Sequence, residues 1–312
     1  MQRKNQIDRT GACILVVFSA LLGLNQVLIK LVNAGMQPVF QAGLRSLCAF
    51  CLVLPLALLA RRALSIRDGS LWPGVLAGCF FAVEFLLMFI GLDYTSVARA
   101  SILFYTMPLW VALGSHLWVG ERLTLLRSAG IGVAVIGVVV ALTSRSPAGS
   151  AQHLAGDLMC LAASFLWAGI ALLARTTAFS KSTPEMQLIY QLGVSAPLLL
   201  LASLFFGDWL REPTVFIWAI FSFQVVVVVS IGFLVWFWVL SIYPASDMAV
   251  YSFLAPVFGV IFGWLILEEP IGLQVVLALV LVSAGIVMVN LKPGAGATTS
   301  AEIARQTGKQ TD

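Results

Sequence analysis

Charged side chains are scarce in this sequence. Asp, Glu, Lys and Arg make up 10% of its 312 residues, whereas hydrophobic residues make up 60% and the mean hydropathy is +1.00. A soluble globular domain carries about 25% charged residues. So few charges cannot cover a surface that faces water on every side. The composition therefore excludes an ordinary soluble protein and predicts an integral membrane protein.

The motifs of common enzymes and of nucleic-acid-binding proteins are also missing. The sequence contains no HExxH, no GxSxG and no phosphate-binding GxxxxGK(S/T) pattern. The five cysteines lie inside apolar runs, which argues against a disulfide framework. Lysine and arginine are scattered and form no basic stripe. We therefore predict that the protein is not an enzyme, holds no cofactor or metal, and binds no nucleic acid; an intramembrane enzyme and a channel are the less favoured alternatives.

The sequence is rich in long apolar runs. A transmembrane helix needs about 20 mostly apolar residues. Ten such runs can be placed, at residues 11–32, 37–60, 70–92, 98–119, 126–142, 156–176, 186–206, 216–240, 247–267 and 271–290. The predicted fold class is an all-α membrane protein with ten transmembrane helices. Residues 293–312 are rich in Gly, Ala, Thr and Gln and are predicted to form a disordered tail.

The second half of the sequence repeats the design of the first half. Matching residue types recur 148 positions apart at Pro108 and Pro256, at Glu121 and Glu269, and at Gly137 and Gly285. This predicts two five-helix repeats, at residues 1–148 and 149–292. Because each repeat has an odd number of spans, the two copies are predicted to cross the membrane in opposite senses. Inverted repeats of this kind place a binding site between the halves and allow alternating access.

Lysine and arginine predict the orientation of the chain. With the N-terminus in the cytoplasm, most of the 18 basic residues fall on the cytoplasmic side of the predicted spans. An even number of spans then places both termini in the cytoplasm.

Two segments carry a resemblance to a known family. They read FIGLDYTSVARASILFYTMPLWVALGSHLWVGERLT and VLSIYPASDMAVYSFLAPVFGVIFGWLILEEPI, and each combines an apolar run, an interior proline and a glutamate 13 residues later. This pattern resembles the drug/metabolite transporter superfamily, within it the EamA-type exporters, and most of all the aromatic amino-acid exporters. The resemblance implies a multi-pass protein of the bacterial inner membrane that exports amino acids, aromatic and other apolar ones, as a secondary transporter. The alternative is an exporter of cationic drugs or other small metabolites.

Glu84 is the most informative ionisable residue, because it lies deep in the third predicted span. A charge at the centre of a bilayer costs at least about 2.5–3.5 kcal/mol, so it has to face a cavity or a partner. Glu84 could bind a substrate ammonium group or couple transport to protons. It could instead be a structural partner of a basic residue, for which the sequence offers Lys30, Arg45 and Arg99.

The other candidate binding residues are polar or aromatic and also lie inside the predicted spans: Asn25, Phe80, Phe85, Tyr105, Trp167, Trp236 and Tyr251. A cavity lined by aromatic rings with a few polar groups suits a zwitterion that has an apolar side chain. Each of these residues could equally serve helix packing. Pro108 and Pro256 are predicted to kink their helices as hinges or gates, or to form static bends.

Three further expectations concern partners and helix ends. The predicted partners are a small-molecule substrate, an amino acid, and the lipid bilayer, and a monomer is compatible with the sequence. Lys30 lies near the end of its span, where its side chain could reach the membrane surface. Glu121 and Glu269 end their spans and are predicted to be structural, accepting hydrogen bonds from amides at a helix start.

Overall fold

Helices form almost all of the described structure. The computed structural model describes residues 7–62, 64–144, 151–232, 235, 238–239, 242–243, 248, 251 and 253–291. Its α-helices are α1 (Arg9–Gly35), α2 (Pro38–Leu59), α3 (Leu71–Tyr94), α4 (Val97–Phe104), α5 (Met107–Gly114), α6 (Leu125–Thr143), α7 (Ala151–Thr176), α8 (Pro184–Ser203), α9 (Val215–Phe223), α10 (Leu254–Leu267) and α11 (Leu273–Asn290). Two π-helical segments, Ser115–Val119 and Gln224–Ile231, continue α5 and α9, and a 3₁₀ helix covers Ala178–Lys181. Trp236 and the predicted tail lie outside the described residues.

The apolar helices confirm the predicted fold class. Within the described ranges, eight helices are long and apolar enough to cross a membrane, and they correspond to the first seven predicted spans and the tenth. Two shorter apolar helices, Val215–Ile231 and Leu254–Leu267, fall within the eighth and ninth predicted spans. The protein is therefore an all-α, multi-pass membrane protein with ten helical spans.

The fourth predicted span is interrupted near its middle. α4 ends at Phe104, Tyr105 and Thr106 form a turn, and α5 starts at Met107 with Pro108 in its first turn. Proline disfavours helical geometry in the residue before it, and in the first turn of a helix its missing N–H group is not needed. Pro256 likewise lies in the first turn of α10. Both prolines therefore lie in the first turn of an α-helical segment, and their role as hinges or gates stays a prediction.

The helices pair mainly across the two halves of the chain. α2 packs on α8, and α6 packs on α11. α1 packs on α10, while α7 packs on both α4 and α5. α3 also lies against α7 and α8. The core of the described structure is therefore the contact between residues 9–143 and residues 151–290.

Polar contacts tie the helix ends together at the two ends of the bundle. At one end, which we call the Glu269 end, the Gln37 backbone N–H donates to the Trp209 carbonyl over 2.9 Å. At the opposite Glu121 end, Arg62 forms an ion pair with Glu185, with 3.1 Å between Arg62 Nε and Glu185 Oε1.

Glycines allow α6 and α11 to pack closely. A Cβ atom on Gly285 would lie 2.5 Å from the Ala134 Cβ and 2.6 Å from the Gly130 carbonyl oxygen. A Cβ atom on Gly137 would lie 2.8 Å from Val282 Cγ2. Small residues at such crossings let two backbones approach each other, which is the main source of packing energy between helices in lipid. Gly137 and Gly285, the pair found 148 residues apart in the sequence, thus lie in one interface.

We predict that Gly285→Ala destabilises the protein by about 1–3 kcal/mol, because the new methyl group overlaps backbone atoms that cannot move freely. Gly132→Ala is the matched control, since a Cβ atom at this position would have no atom of a neighbouring helix within 4 Å. Thermal unfolding of the purified protein in detergent measures both variants. Equal melting temperatures for the two would contradict the close packing of α6 and α11.

Candidate functional site

A buried ion pair joins α4 to α7. Arg99 Nε donates to both carboxylate oxygens of Asp157, at 3.2 and 3.0 Å, and Arg99 Nη2 also donates to Oδ2. Arg99 Nη1 donates to the Ser144 carbonyl oxygen over 2.7 Å, and Thr95 Oγ1 donates to Asp157 Oδ1 over 2.6 Å. Arg99 is therefore committed to Asp157 and is not the partner of Glu84. Sequence reasoning missed Asp157, although a carboxylate at the edge of an apolar run was a signal for it.

A second ion pair lies at the Glu269 end. Lys30 Nζ lies 3.2 Å from Glu269 Oε1 and donates to the Thr95 carbonyl oxygen over 2.5 Å. Glu269 also accepts from the backbone N–H groups of Val97 at 2.8 Å and Ala98 at 3.2 Å. The carboxylate thus caps the start of α4, where the helix dipole favours negative charge. Glu269 has the predicted structural contacts, whereas Lys30 forms an ion pair instead of reaching for the membrane surface.

Of the three basic residues considered as partners of Glu84, Arg45 is the one without another ion pair in the described structure. Arg45 on α2 is 4% exposed and Glu84 on α3 is 2% exposed, and the two helices pack against each other. The Arg45 guanidinium carbon lies 4.7 Å from the ring centroid of Phe85 and 4.7 Å from that of Phe89, a favourable cation–π arrangement. Asn25 Oδ1 accepts from Arg45 Nη1 over 3.4 Å. Among the described residues, Glu84 Oε2 has no hydrogen-bond partner.

Aromatic rings extend from this charged pair towards α7. Phe85 and Phe89 lie 5.5 Å apart between ring centroids. Tyr105, in the turn between α4 and α5, meets Trp167 edge to face, with 6.1 Å between the ring centroids. Phe85, Tyr105 and Trp167 all pack on the same hydrophobic cluster. The candidate residues therefore come from both halves of the chain, with charges on α2 and α3 and aromatic rings on α3, on α7 and in the turn between α4 and α5.

The remaining candidate residues lie at the border of the site or away from it. Phe80 packs beside α7, with its ring 3.0 Å from where a Cβ atom on Gly169 would lie, in a cluster that Phe85 also borders. Tyr251 packs in a different cluster, with Leu15 and Tyr243. Trp236 lies outside the described residues. The structure thus places Asn25 and Phe85 beside Arg45, and Tyr105 beside Trp167, whereas Tyr251 packs in a separate cluster.

Uncharged polar residues complete the interior of the site. Gln41 Nε2 on α2 donates to Gln224 Oε1, the first residue of the second π-helical segment, over 3.3 Å, and both side chains are buried. Sequence reasoning gave Gln41 and Gln224 no role in the site, although an amide inside an apolar span was the signal available. Over the part of the chain that the structure describes, no three His, Cys, Asp or Glu side chains gather as metal ligands.

We predict that Asp157→Ala destabilises the protein by about 3–5 kcal/mol, because it leaves the Arg99 charge buried without a partner. Asp93→Ala is the matched control: Asp93 pairs with Arg211 at 3.1 Å in a solvent-accessible position, where an ion pair contributes about 0–1 kcal/mol. Thermal unfolding in detergent compares the two. If both variants melted alike, the buried pair would not contribute more than the exposed one.

Comparisons with known proteins place the chain in a family. The chain matches the EamA-like transporter family twice, over residues 9–143 and 154–291. It is 27% identical over 298 residues to the uncharacterized transporter YvbV of Bacillus subtilis, covering 92% of this chain and 94% of that protein. It is 30% identical over 283 residues to a probable amino-acid metabolite efflux pump of Salmonella typhimurium, covering 85% of this chain and 89% of that protein. A solved crystal structure shares the fold, with a TM-score of 0.65 and 19% identity over 90% of this chain and 97% of the other. Because the two matched ranges together span most of the sequence, the protein belongs to the EamA-like transporter family.

Proposed function

We propose that this transporter exports amino acids, aromatic and other apolar ones, from the bacterial cytoplasm by alternating access. The observation that carries the proposal is the buried pair of Arg45 and Glu84, which lies beside aromatic rings and has one carboxylate oxygen without a partner among the described residues. The Salmonella relative described as a probable amino-acid metabolite efflux pump supports the same substrate class.

A zwitterion matches the charges of this pair. Its carboxylate would bind the Arg45 guanidinium, and its ammonium group would bind Glu84. When Arg45 and Glu84 are both ionised, their charges cancel, and those of a zwitterion cancel as well. Binding a zwitterion then adds no net charge to the membrane interior, where a net charge would be costly. Phe85, Tyr105 and Trp167 offer apolar surface for the rest of the substrate.

A cationic drug fits the same site less well. Arg45 carries a charge opposite to that of an ionised Glu84 and lies on the neighbouring helix. A monovalent cation bound at Glu84 would therefore leave one uncompensated positive charge among buried side chains. The cation exporter is therefore the less favoured alternative to the amino-acid exporter.

Repeat-related ion pairs support alternating access. Lys30 and Glu269 at one end correspond in the sequence to Arg175 and Glu121 at the other. The first pair is 3.2 Å apart with side chains 30% and 12% exposed, whereas the second is 3.9 Å apart with side chains 53% and 45% exposed. We infer that the Glu269 end is closed and the Glu121 end is looser. Since the basic residues favour a cytoplasmic Glu121 end, the site in this state would receive substrate from the cytoplasm.

Opposite orientation of the two repeats, at residues 1–148 and 149–292, is part of the same proposal. The helix pairs are consistent with it, because α1 packs on α10 as α7 packs on α4 and α5. Equivalent backbone turns also recur: Gly120 and Glu268 both have left-handed φ angles, 77° and 54°. The N–H groups of Glu121 and Glu269 donate to carbonyl oxygens of matching residues, Ser115 and Gly263.

We predict that Glu84→Gln and Arg45→Gln each lower amino-acid transport at least about tenfold. A hydrogen bond to a charged group contributes about 1.5–3 kcal/mol, and 1.4 kcal/mol corresponds to a factor of ten. Transport of labelled phenylalanine, leucine and methionine into proteoliposomes measures the effect. Glu185→Gln, which changes a carboxylate near the Glu121 end, is the control and should keep wild-type transport. Full activity of Glu84→Gln would refute the assigned site.

We also predict that Lys30→Met opens the Glu269 end more often, because it removes the ion pair that holds α1 to Glu269. The readout is a buried Ser101→Cys reporter on α4 in a background without the five native cysteines. A membrane-impermeant thiol reagent applied from the Glu269 side should label it several-fold faster. Arg211→Met, which breaks a different ion pair at the same end, is the control. Unchanged labelling in Lys30→Met would argue against gating by this pair.

A further inference from the structure

We propose that Gln41 and Gln224 form a hydrogen-bonding subsite next to the Arg45–Glu84 pair, which selects amino acids whose side chains end in an uncharged carboxamide or hydroxyl group. This inference rests on the proposed amino-acid transport. It extends the substrate range beyond apolar side chains and ranks a polar amino acid above an apolar one of the same shape.

Gln41 and Gln224 have two hydrogen-bonding groups that remain unpaired among the described residues. The single bond between Gln41 Nε2 and Gln224 Oε1 leaves Gln41 Oε1 as a free acceptor and Gln224 Nε2 as a free donor, with no partner for either among the described residues. Both side chains are fully buried. A carboxamide ligand carries one acceptor oxygen and one donor NH₂ group, so it complements these two free groups.

A purely structural role would be energetically poor. A hydrogen bond between helices in a membrane contributes little stability on average. A buried polar group without a partner costs more than such a bond contributes. One bond between α2 and the π-helical segment therefore does not offset two unsatisfied amide groups. A ligand that binds both groups would remove this cost, which makes the pair suited to recognition.

The position of the pair relative to Arg45 suits an amino acid. Gln41 and Arg45 are four residues apart on α2, so they lie on one face of the helix with about 5–6 Å between their Cβ atoms. A substrate carboxylate bound at Arg45 would place a short side chain within reach of Gln41. Ser46, one residue beyond Arg45, is also buried and has an unpartnered hydroxyl group within the described structure.

The π-helical geometry at Gln224 is a second, independent sign of a functional position. Residues Gln224–Ile231 form π-helix directly after α9, and Ser230 Oγ donates to the Val225 carbonyl oxygen over 2.9 Å. Such segments are rare and occur frequently at functional sites, because they change the direction in which side chains point. Here the change begins at the residue that contacts Gln41.

Glutamine and methionine are the most direct pair of substrates for a test, because their side chains have nearly the same size and only glutamine forms hydrogen bonds. Wild-type protein in proteoliposomes should transport glutamine with a kcat/KM at least about tenfold higher than methionine, which corresponds to one hydrogen bond of about 1.4 kcal/mol. Gln41→Met and Gln224→Met should each lower the ratio of kcat/KM for glutamine to kcat/KM for methionine by about tenfold, to near one. Asparagine and leucine provide a second matched pair of substrates.

Gln187→Met is the control variant. Gln187 corresponds to Gln41 in the second half of the sequence, but its Nε2 donates to the Phe179 and Ser182 carbonyl oxygens at 3.0 and 3.3 Å. It should keep the wild-type preference for glutamine. Equal wild-type transport of glutamine and methionine, or an equal loss of both in Gln41→Met and Gln224→Met, would overturn the subsite and leave amino-acid transport intact. Absence of transport for every amino acid, including phenylalanine, would overturn both proposals.

Discussion

The cost of an unpaired charge in an apolar interior is the constraint on which the rest of this structure depends. Arg99 and Asp157 are buried together, and Lys30 joins Glu269 to the backbone before α4. Each of these contacts fixes helices from different halves of the chain against each other, because neither charge can stay buried alone. Because these four side chains already have partners, Arg45 and Glu84 are the buried charged residues of the described structure that still have hydrogen-bonding capacity. The helix packing therefore singles them out as the candidate site.

The site combines rigid support with locally irregular backbone. Arg45 and Glu84 lie on long, regular helices, whereas Tyr105 lies in the turn before Pro108 and Gln224 begins a π-helical segment. Irregular backbone at membrane depth is tolerated where protein surrounds it or where it lines a cavity. The same feature recurs in transporters whose broken helices surround a substrate near the centre of the membrane.

The sequence predicted the positions of the spans correctly, because a continuous apolar run is a local signal. It predicted that Glu121 and Glu269 both accept hydrogen bonds from amides at a helix start. Glu269 does so, whereas the Glu121 carboxylate instead lies 3.9 Å from Arg175 Nη1. It could not choose among Lys30, Arg45 and Arg99 as the partner of Glu84. That choice depends on which helices touch, and helix contacts are determined by side-chain shape over the whole bundle. Asp157 and Gln224 were missed for the same reason, because the role of a buried polar side chain depends on which side chain of another helix lies next to it.

The glycine-lined contact between α6 and α11 also has a consequence for biosynthesis. Gly130 and Gly137 leave the ribosome long before the residues around Gly285 that fill the space beside them. Until α11 is inserted, the face of α6 that carries Gly130 and Gly137 borders lipid. Lipid chains cannot approach a helix backbone as closely as another helix does. The nascent chain therefore completes its tertiary structure only after translation has passed residue 290, and a transcript truncated before α11 would yield an incompletely assembled bundle open to quality-control proteolysis.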